Sequence, residues 1–427
     1  MLSDPQSHGL WEATAPAAPV TSVAEGAFEA NVVVIGAGFT GLSCAFRLAR
    51  SGAKVVVLEE KEIGFGGSGR NVGLVNAGLW VMPSALPAAL GADYGERLLT
   101  LLGDAPRLVY AMVENNGIDC ELVKTGTLHC AVGKQGLEEI QQRAEQWQAR
   151  GAPVSLIGAE ETARLVGSTA YAGALLDRRA GTIQPLAYVR GLANAAIAAG
   201  AEIYTGSPVI GTERAGPRWT IRTPLSSIRA DWIVVATNAY THEPWSAIRH
   251  ELVHLPYFNM ATEPLSEELQ RTILPERQGV WDTRQILSSF RFDRAGRLVF
   301  GSVGALRGTG RAVHQAWARR SLAKLFPQLK GVGFETLWYG QIGMTVDNLP
   351  RFHKLAENVI SFSGFNGRGI APGTVFGYVL AEHIAGGIAE ADLPLPVTEP
   401  AAQPLRQARE LFYEVGAQAA HLVDGYF

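Results

Sequence analysis

The run VVVI at residues 32–35, the glycines that follow it, and the segment FTGLSCAFRLARSG leave this chain few ways to fold. A short β-branched apolar run bounded by turn residues is a buried strand. Leu42, Ala45, Phe46 and Ala49 then share one helical face, and KVVVLEE reads as a second buried strand. Strand, tight turn, helix and strand within about 30 residues is a βαβ unit. Its glycines are Gly36, Gly38 and Gly41, in G-x-G-x-x-G spacing around Phe39 and Thr40. In that pattern the first glycine makes the turn, the second admits a pyrophosphate to the backbone, and the third lets helix and strand pack closely. Glu59 follows Gly41 by 18 residues and is placed to accept ribose hydroxyls. The spacing alone occurs by chance, as a purely structural turn. With strands on both sides and an acid after the second, it reads as dinucleotide binding.

An acid at the ribose disfavours a 2′-phosphate and hence NADP, which leaves NAD and FAD. The next stretch decides between them. Residues 64–78, GFGGSGRNVGLVNAG, hold six glycines together with Arg70, Asn71 and Asn76. A nicotinamide enzyme would normally continue with further βα units at this point. A second glycine cradle carrying a cation and amides suits the middle of a longer cofactor, FAD. The competing reading is a mobile surface loop.

A formal charge of −3 with no block of like charges gives no case for a nucleic-acid partner. Three cysteines, Cys44, Cys120 and Cys130, form no CxxC pair, which suits a reducing compartment. Nine histidines lack HxH or HExxH spacing, so no metal site is expected, and Ser43 lies in G-L-S-C, not in a G-x-S-x-G elbow. The N-terminus has acids and prolines where a secretory signal needs a basic start, and no window of about 18 apolar residues occurs. A cytoplasmic protein without a transmembrane segment is expected, with peripheral attachment to the inner face of the membrane left open.

Further along, eight stretches appear in one order: LWEATA, GFGGSGRNVG, TGTLHCAV, GALLDRRAGTIQP, DWIVVATNAY, ATEPL, WYGQIGMTVDNLP and GFNGRGIAPGTVFG. Together they resemble the D-amino-acid-oxidase-type FAD-dependent oxidoreductases of glycine/sarcosine-oxidase-like fold, over nearly the whole chain. Within them the resemblance is to bacterial γ-glutamylputrescine oxidases and L-pipecolate oxidases. The NGRG form at 366–369, together with LVNAGLW, is more similar to the latter.

The resemblance implies an α/β and α+β fold, with a doubly wound, Rossmann-like FAD domain interleaved with an antiparallel-sheet substrate domain. The expected division is an arm over 1–28, an FAD domain from 29–90, 151–250 and 331–395, a substrate domain from 91–150 and 251–330, and an extension over 396–427. It also implies that Gly36, Gly38, Phe39, Thr40 and Gly41 hold pyrophosphate, with Glu59 on ribose and Val209 at adenine. Ser68, Arg70, Asn71, Gly73 and Leu74 would line the middle of the FAD, and Ala236 and Asn238 the returning chain. Gly364, Asn366, Gly367, Arg368, Gly369 and Ile370 would precede a helix aimed at the flavin edge where negative charge gathers. Arg368 would add charge there or face a substrate carboxylate. With no histidine in Ser68-Gly69-Arg70 and no cysteine beyond residue 130, the FAD is expected to be non-covalent.

Tyr257, Phe258, Trp338, Tyr339 and Phe365 are candidates to wall a substrate pocket, although any single one reads more readily as core. Arg291 is a candidate carboxylate anchor, bidentate where lysine could not be, or else a surface arginine. The expected reaction is oxidation of a C–N bond in a small amino or imino acid by hydride transfer to flavin N5, with oxygen or a respiratory carrier as final acceptor. L-Pipecolate going to a piperideine carboxylate leads. γ-Glutamylputrescine oxidation, and a nucleotide-binding subunit of a dehydrogenase complex, are the alternatives.

Overall fold

The computed structural model describes residues 7–423, which form two large sheets and a two-stranded one, Leu74–Val75 with Gly181–Thr182, with helices packed around them. The nine-stranded sheet is built outward from Gly26–Ile35. On one side it pairs in parallel with Val55–Leu58, which in turn pairs with Glu202–Tyr204. On the other side it pairs with Ser226–Val235, which pairs with Val359–Ser363. These strands are valine- and isoleucine-rich because both sheet faces are covered. An antiparallel pair, Gly211–Ala215 and Arg218–Arg222, hangs from Ser226–Val235.

The second sheet has eight strands in the order Phe334–Met344, Val253–Pro264, Arg297–Val303, Ser288–Phe292, Gly279–Asp282, Thr127–Ala131, Gly173–Asp177, Val154–Gly158. All neighbours are antiparallel except Gly279–Asp282 against Thr127–Ala131. Its apolar face carries a separate core around Phe258, Phe290, Phe300 and Trp317.

The chain crosses between the sheets more finely than the sequence suggests. Residues 154–158, 173–177 and 334–344 fall in stretches expected to belong to the nucleotide domain, yet their hydrogen bonds are made in the second sheet. Short strands of this kind carry no local mark of which sheet they join. The arm contains the helix Leu10–Thr14, with Trp11 fully buried, and the extension contains the helix Arg406–Val423.

Two helices, Phe39–Arg50 and Ile370–Ile384, pack tightly over the first sheet. Glycines permit the approach. A Cβ at Gly41 would stand 2.0 Å from the Gly36 carbonyl oxygen, and one at Gly377 would stand 2.6 Å from both Ser43 Cβ and the Thr40 carbonyl oxygen. Both helix N-termini thereby open on one cleft. Gly377→Ala must push the helices apart and should lower stability by about 1–3 kcal/mol. Thermal unfolding checks this, and an unchanged midpoint would show that the contact yields freely.

Candidate active site

A cleft of about 540 Å3 runs between the sheets, from Pro208 and Val209 at one end to Trp80, Trp281 and Arg368 at the other. At the first end the turn after Gly26–Ile35 lies open. Gly36 has φ +102°, a conformation costly for any side chain, and a Cβ on Gly38 would come within 2.9 Å of Ser68 Oγ. Glu59 accepts from the Ala37 backbone N–H at 2.8 Å through one oxygen and from Lys61 N–H at 2.9 Å through the other. Burial raises the pKa of its carboxyl. The Phe39 N–H donates to Ser68 Oγ at 3.1 Å, which links the first glycine turn to the second glycine loop.

That second loop is held from behind. Its carbonyls accept hydrogen bonds from side chains supplied by distant segments. His8 Nε2 reaches Gly64 O at 3.2 Å, and Trp338 Nε1 and Asn259 Nδ2 both reach Arg70 O at 3.0 Å. Trp11 Nε1 donates to Asn71 O at 2.9 Å and Arg291 Nε to Val72 O at 2.8 Å. The Asn71 side chain closes the loop on itself, donating to Gly67 O and Ser68 O and accepting from Gly73 N–H. Asn76 Oδ1 accepts from Thr127 Oγ1 at 2.9 Å and so ties the loop to the second sheet. Arg70 is turned into the cleft, its guanidinium 4.5 Å from the Phe65 ring centre, with a buried Nε that meets no protein acceptor. The amides of this stretch shape the loop, and the cation faces the cleft.

The third loop precedes Ile370–Ile384. Asn238 Oδ1 accepts from Gly364 N–H at 2.9 Å, Asn366 Oδ1 accepts from Thr345 N–H at 2.8 Å, and Asn366 Nδ2 donates to Gly364 O at 2.7 Å. Both asparagines have positive φ, which they tolerate better than most residues. The loop so shaped presents Arg368. Its guanidinium lies 4.7 Å from the ring centres of both Trp80 and Trp281, and Nη1 donates to Ala77 O at 2.9 Å. Nε and Nη2 are buried and meet no protein acceptor. Burial, with Arg143 nearby, pulls the pKa of Arg368 down to about 9, so it remains cationic at neutral pH. Behind Trp281 lies His129, stacked at 3.4 Å with both ring nitrogens unpartnered, its pKa held well down by burial and by Arg143 and Arg368. Tyr257 lines the same end, its hydroxyl 2.6 Å from Ser289 Oγ.

Of the expected site residues, Gly36, Gly38, Phe39, Thr40, Glu59, Ser68, Arg70, Asn71, Leu74, Val209, Ala236, Asn238, Asn366, Gly367, Arg368, Gly369, Ile370 and Tyr257 line this one cleft. Gly41, Gly73 and Gly364 flank it and serve packing. A Cβ on Gly73 would sit 2.0 Å from Ile183 O, and one on Gly364 2.6 Å from Thr345 Cγ2. Arg291 and Trp338 belong elsewhere. Every Arg291 donor group is used, on Val72 O, Phe292 O and Ile183 O, and its guanidinium covers Trp11 at 4.8 Å. Trp338 is fully buried against Trp11. Neither can reach a substrate, and both act on the loop from its far side. Phe258 and Tyr339 are core of the second sheet, whereas Phe365 lines the cleft. Sequence reasoning missed Trp80, Trp281, Ser289 and Gln341. Trp80 ends a stretch already singled out, but nothing local marks Trp281.

Two glycine loops, an acid where ribose hydroxyls would bind, a guanidinium midway whose buried Nε meets no acceptor and a helix N-terminus at the far end fit FAD along the whole cleft. A fold and site of this kind define a flavin-dependent oxidoreductase. Residues 31–383 match the family model of the FAD dependent oxidoreductases (DAO), and the chain belongs to that family. It is 32% identical over 390 residues to a probable oxidoreductase OrdL of Rhizobium meliloti, covering 90% of each chain. It is 32% identical over 361 residues to the γ-glutamylputrescine oxidoreductase of Escherichia coli, covering 83% of this chain and 84% of that one. Among solved structures, glycine oxidase from Geobacillus kaustophilus superposes with a TM-score of 0.68 at 20% identity, over 84% of this chain and 95% of that one. L-Amino acid deaminase from Proteus myxofaciens gives 0.71 at 18%, over 87% and 93%. FAD is the cofactor.

Trp11→Ala removes a loop donor and leaves a void under Arg291. It should cost stability by about 3–5 kcal/mol and weaken FAD binding at least tenfold, read by flavin fluorescence during titration of the apoprotein. Stability lost with FAD affinity unchanged would show that the loop keeps its shape without the arm.

Proposed function

We propose that this protein oxidises the C–N bond of a small amino or imino acid whose carboxylate is held by Arg368, with L-pipecolate as the leading substrate and a piperideine carboxylate as product. The observation that carries this reading is the buried guanidinium between Trp80 and Trp281, with Nε and Nη2 unpartnered. A buried cation without a counter-charge is expensive, and a bound carboxylate offsets that cost through charge-assisted hydrogen bonds. FAD, when bound without a covalent link, supplies the two-electron acceptor, and oxygen or a respiratory carrier completes turnover.

The chain's own residues do the positioning. Gly36 to Thr40 and Glu59 would hold the adenosine and pyrophosphate, Arg70 the middle of the cofactor, and the 364–369 loop its reactive end. The indoles of Trp80 and Trp281 exclude water and fix the plane of Arg368. Tyr257 and Ser289 form a hydrogen-bonded wall, and burial raises the Tyr257 pKa, so the phenol stays protonated and acts as a neutral donor. No base is required of the protein if the amine arrives neutral.

The similarity to γ-glutamylputrescine oxidoreductase supports a second reading, a longer substrate with a primary amine. The charge of the site favours the first. The acids lining the cleft are Glu59, Glu60 and Glu243. The first two follow the strand Val55–Leu58, and Glu243 is close in sequence to Trp245, which packs in the same core as Val209. Among the described residues no other acid lines the cleft, so a substrate with an extra ammonium group finds no partner beside Arg368.

Anaerobic flavin reduction decides between them. L-Pipecolate should bleach the flavin faster than γ-glutamylputrescine. Arg368→Met should weaken the apparent affinity for L-pipecolate by about 2–5 kcal/mol with FAD content unchanged. Faster reduction by the polyamine conjugate overturns the substrate assignment. Unaltered affinity in the variant overturns the anchor.

A further inference from the structure

The helix Arg406–Val423 is amphipathic in the wrong sense for a solvated surface helix. Its polar side chains look inward. Glu410 accepts from His254 N–H at 2.9 Å and from Arg249 at 2.7 Å, Glu414 pairs with Arg307, and Thr309 donates to Gln418 at 3.0 Å. His421 is buried, 2.7 Å from His314 Nδ1 and stacked on Trp317. The outward face is apolar. Leu411, Phe412, Val415, Ala419, Leu422 and Val423 are exposed, Phe412 at 71% and Leu411 at 63%. At about 100° per residue these six fall within an arc of about 120°, and no polar residue interrupts it. The other exposed large apolar side chains among the described residues, such as Val20, Leu156, Ile197, Ile210 and Val346, are spread along the chain, and no other single helix carries more than one of them. A contiguous stripe of this kind marks an interaction surface.

The neighbouring charge selects the partner. Gly310–Leu325 packs beside this helix and carries Arg311, Arg319, Arg320 and Lys324 with no acid. Arg311, Arg319 and Lys324 are exposed. Two copies meeting stripe to stripe would bring the exposed Arg311, Arg319 and Lys324 of each copy toward those of the other. An anionic lipid surface meets both features at once, taking the apolar stripe into its interface and the cations at its headgroups. We propose that this helix pair seats the protein peripherally on an anionic membrane. Among the described residues no helix is long and apolar enough to cross one.

The test is flotation of the FAD-loaded enzyme with lipid vesicles. Vesicles containing phosphatidylglycerol should carry the protein up the gradient, pure phosphatidylcholine vesicles should carry far less, and added salt should weaken the association. The double variant Phe412→Glu, Val415→Glu should reduce binding at least tenfold while flavin content and turnover in solution stay as they were. Arg319→Gln with Lys324→Gln, which leaves the stripe intact, should lower binding to the anionic vesicles alone. Absence of flotation, or equal flotation of wild type and both variants, overturns the proposal. So does a solution dimer that the Glu substitutions split, because the stripe would then be a subunit contact.

Discussion

Everything the cleft offers depends on how the backbone of residues 64–73 is held. A glycine-rich loop has no side-chain packing to fix it, and its conformational freedom opposes any single shape. Here its carbonyls at Gly64, Arg70, Asn71 and Val72 are each taken by a side chain from elsewhere: His8, Trp338 with Asn259, Trp11, and Arg291. The donors come from the arm, the second sheet and its edge strand. The loop is therefore shaped jointly by both halves of the molecule, and a cofactor lying on its other side is positioned by residues it never touches. Preorganisation of this kind lets the binding energy of the cofactor go into contacts instead of into ordering the chain.

This arrangement also explains which parts of the site were legible in the sequence. The phosphate turn, Glu59 and the two later glycine loops announce themselves because their chemistry needs particular residues at particular spacings along one stretch of chain. Arg291 and Trp338 were misjudged for the opposite reason. A buried arginine and a tryptophan look alike in sequence whether they meet a substrate or a backbone carbonyl, and only the fold shows that each donor is already engaged. Trp281 escaped notice because it stands mid-strand in a sheet whose partner, Thr127–Ala131, lies about 150 residues earlier in the chain. The segments 154–158 and 173–177 are bonded into the second sheet with no local mark of it, since a five-residue strand does not encode its neighbour.

Arg368 poses a different problem of balance. A guanidinium removed from water, with one donor on Ala77 O and Arg143 close by, lowers the stability of the fold. The two indoles recover part of that loss through their ring faces, but neither carries a charge. His129 adds none, because burial and the two arginines keep it neutral. The acids that act on the cluster, Asp177 and Glu139, are paired with Arg179 and Arg143, and Nε and Nη2 of Arg368 meet no acceptor. A site that stores unfavourable charge in its resting state would reward an anion and penalise a second cation.

The helix Arg406–Val423 shows where sequence pattern stops being informative. Its apolar residues recur at helical spacing, and that periodicity ordinarily assigns the apolar stripe to the core. The structure inverts the assignment because the surface it lies on is polar: Arg249, the His254 N–H, Arg307, Thr309 and His314 all require partners, and Glu410, Glu414, Gln418 and His421 supply them. Arg249, the His254 N–H and His314 are the buried or half-buried members of that set, and they fix the rotation of the helix, since turning it to bury Phe412 would leave them unpaired at a cost of about 1–3 kcal/mol each. Apolar burial is non-directional and can be met by any greasy surface, whereas each of these hydrogen bonds has one partner. The directional interactions therefore decide the orientation, and the apolar stripe is left facing outward.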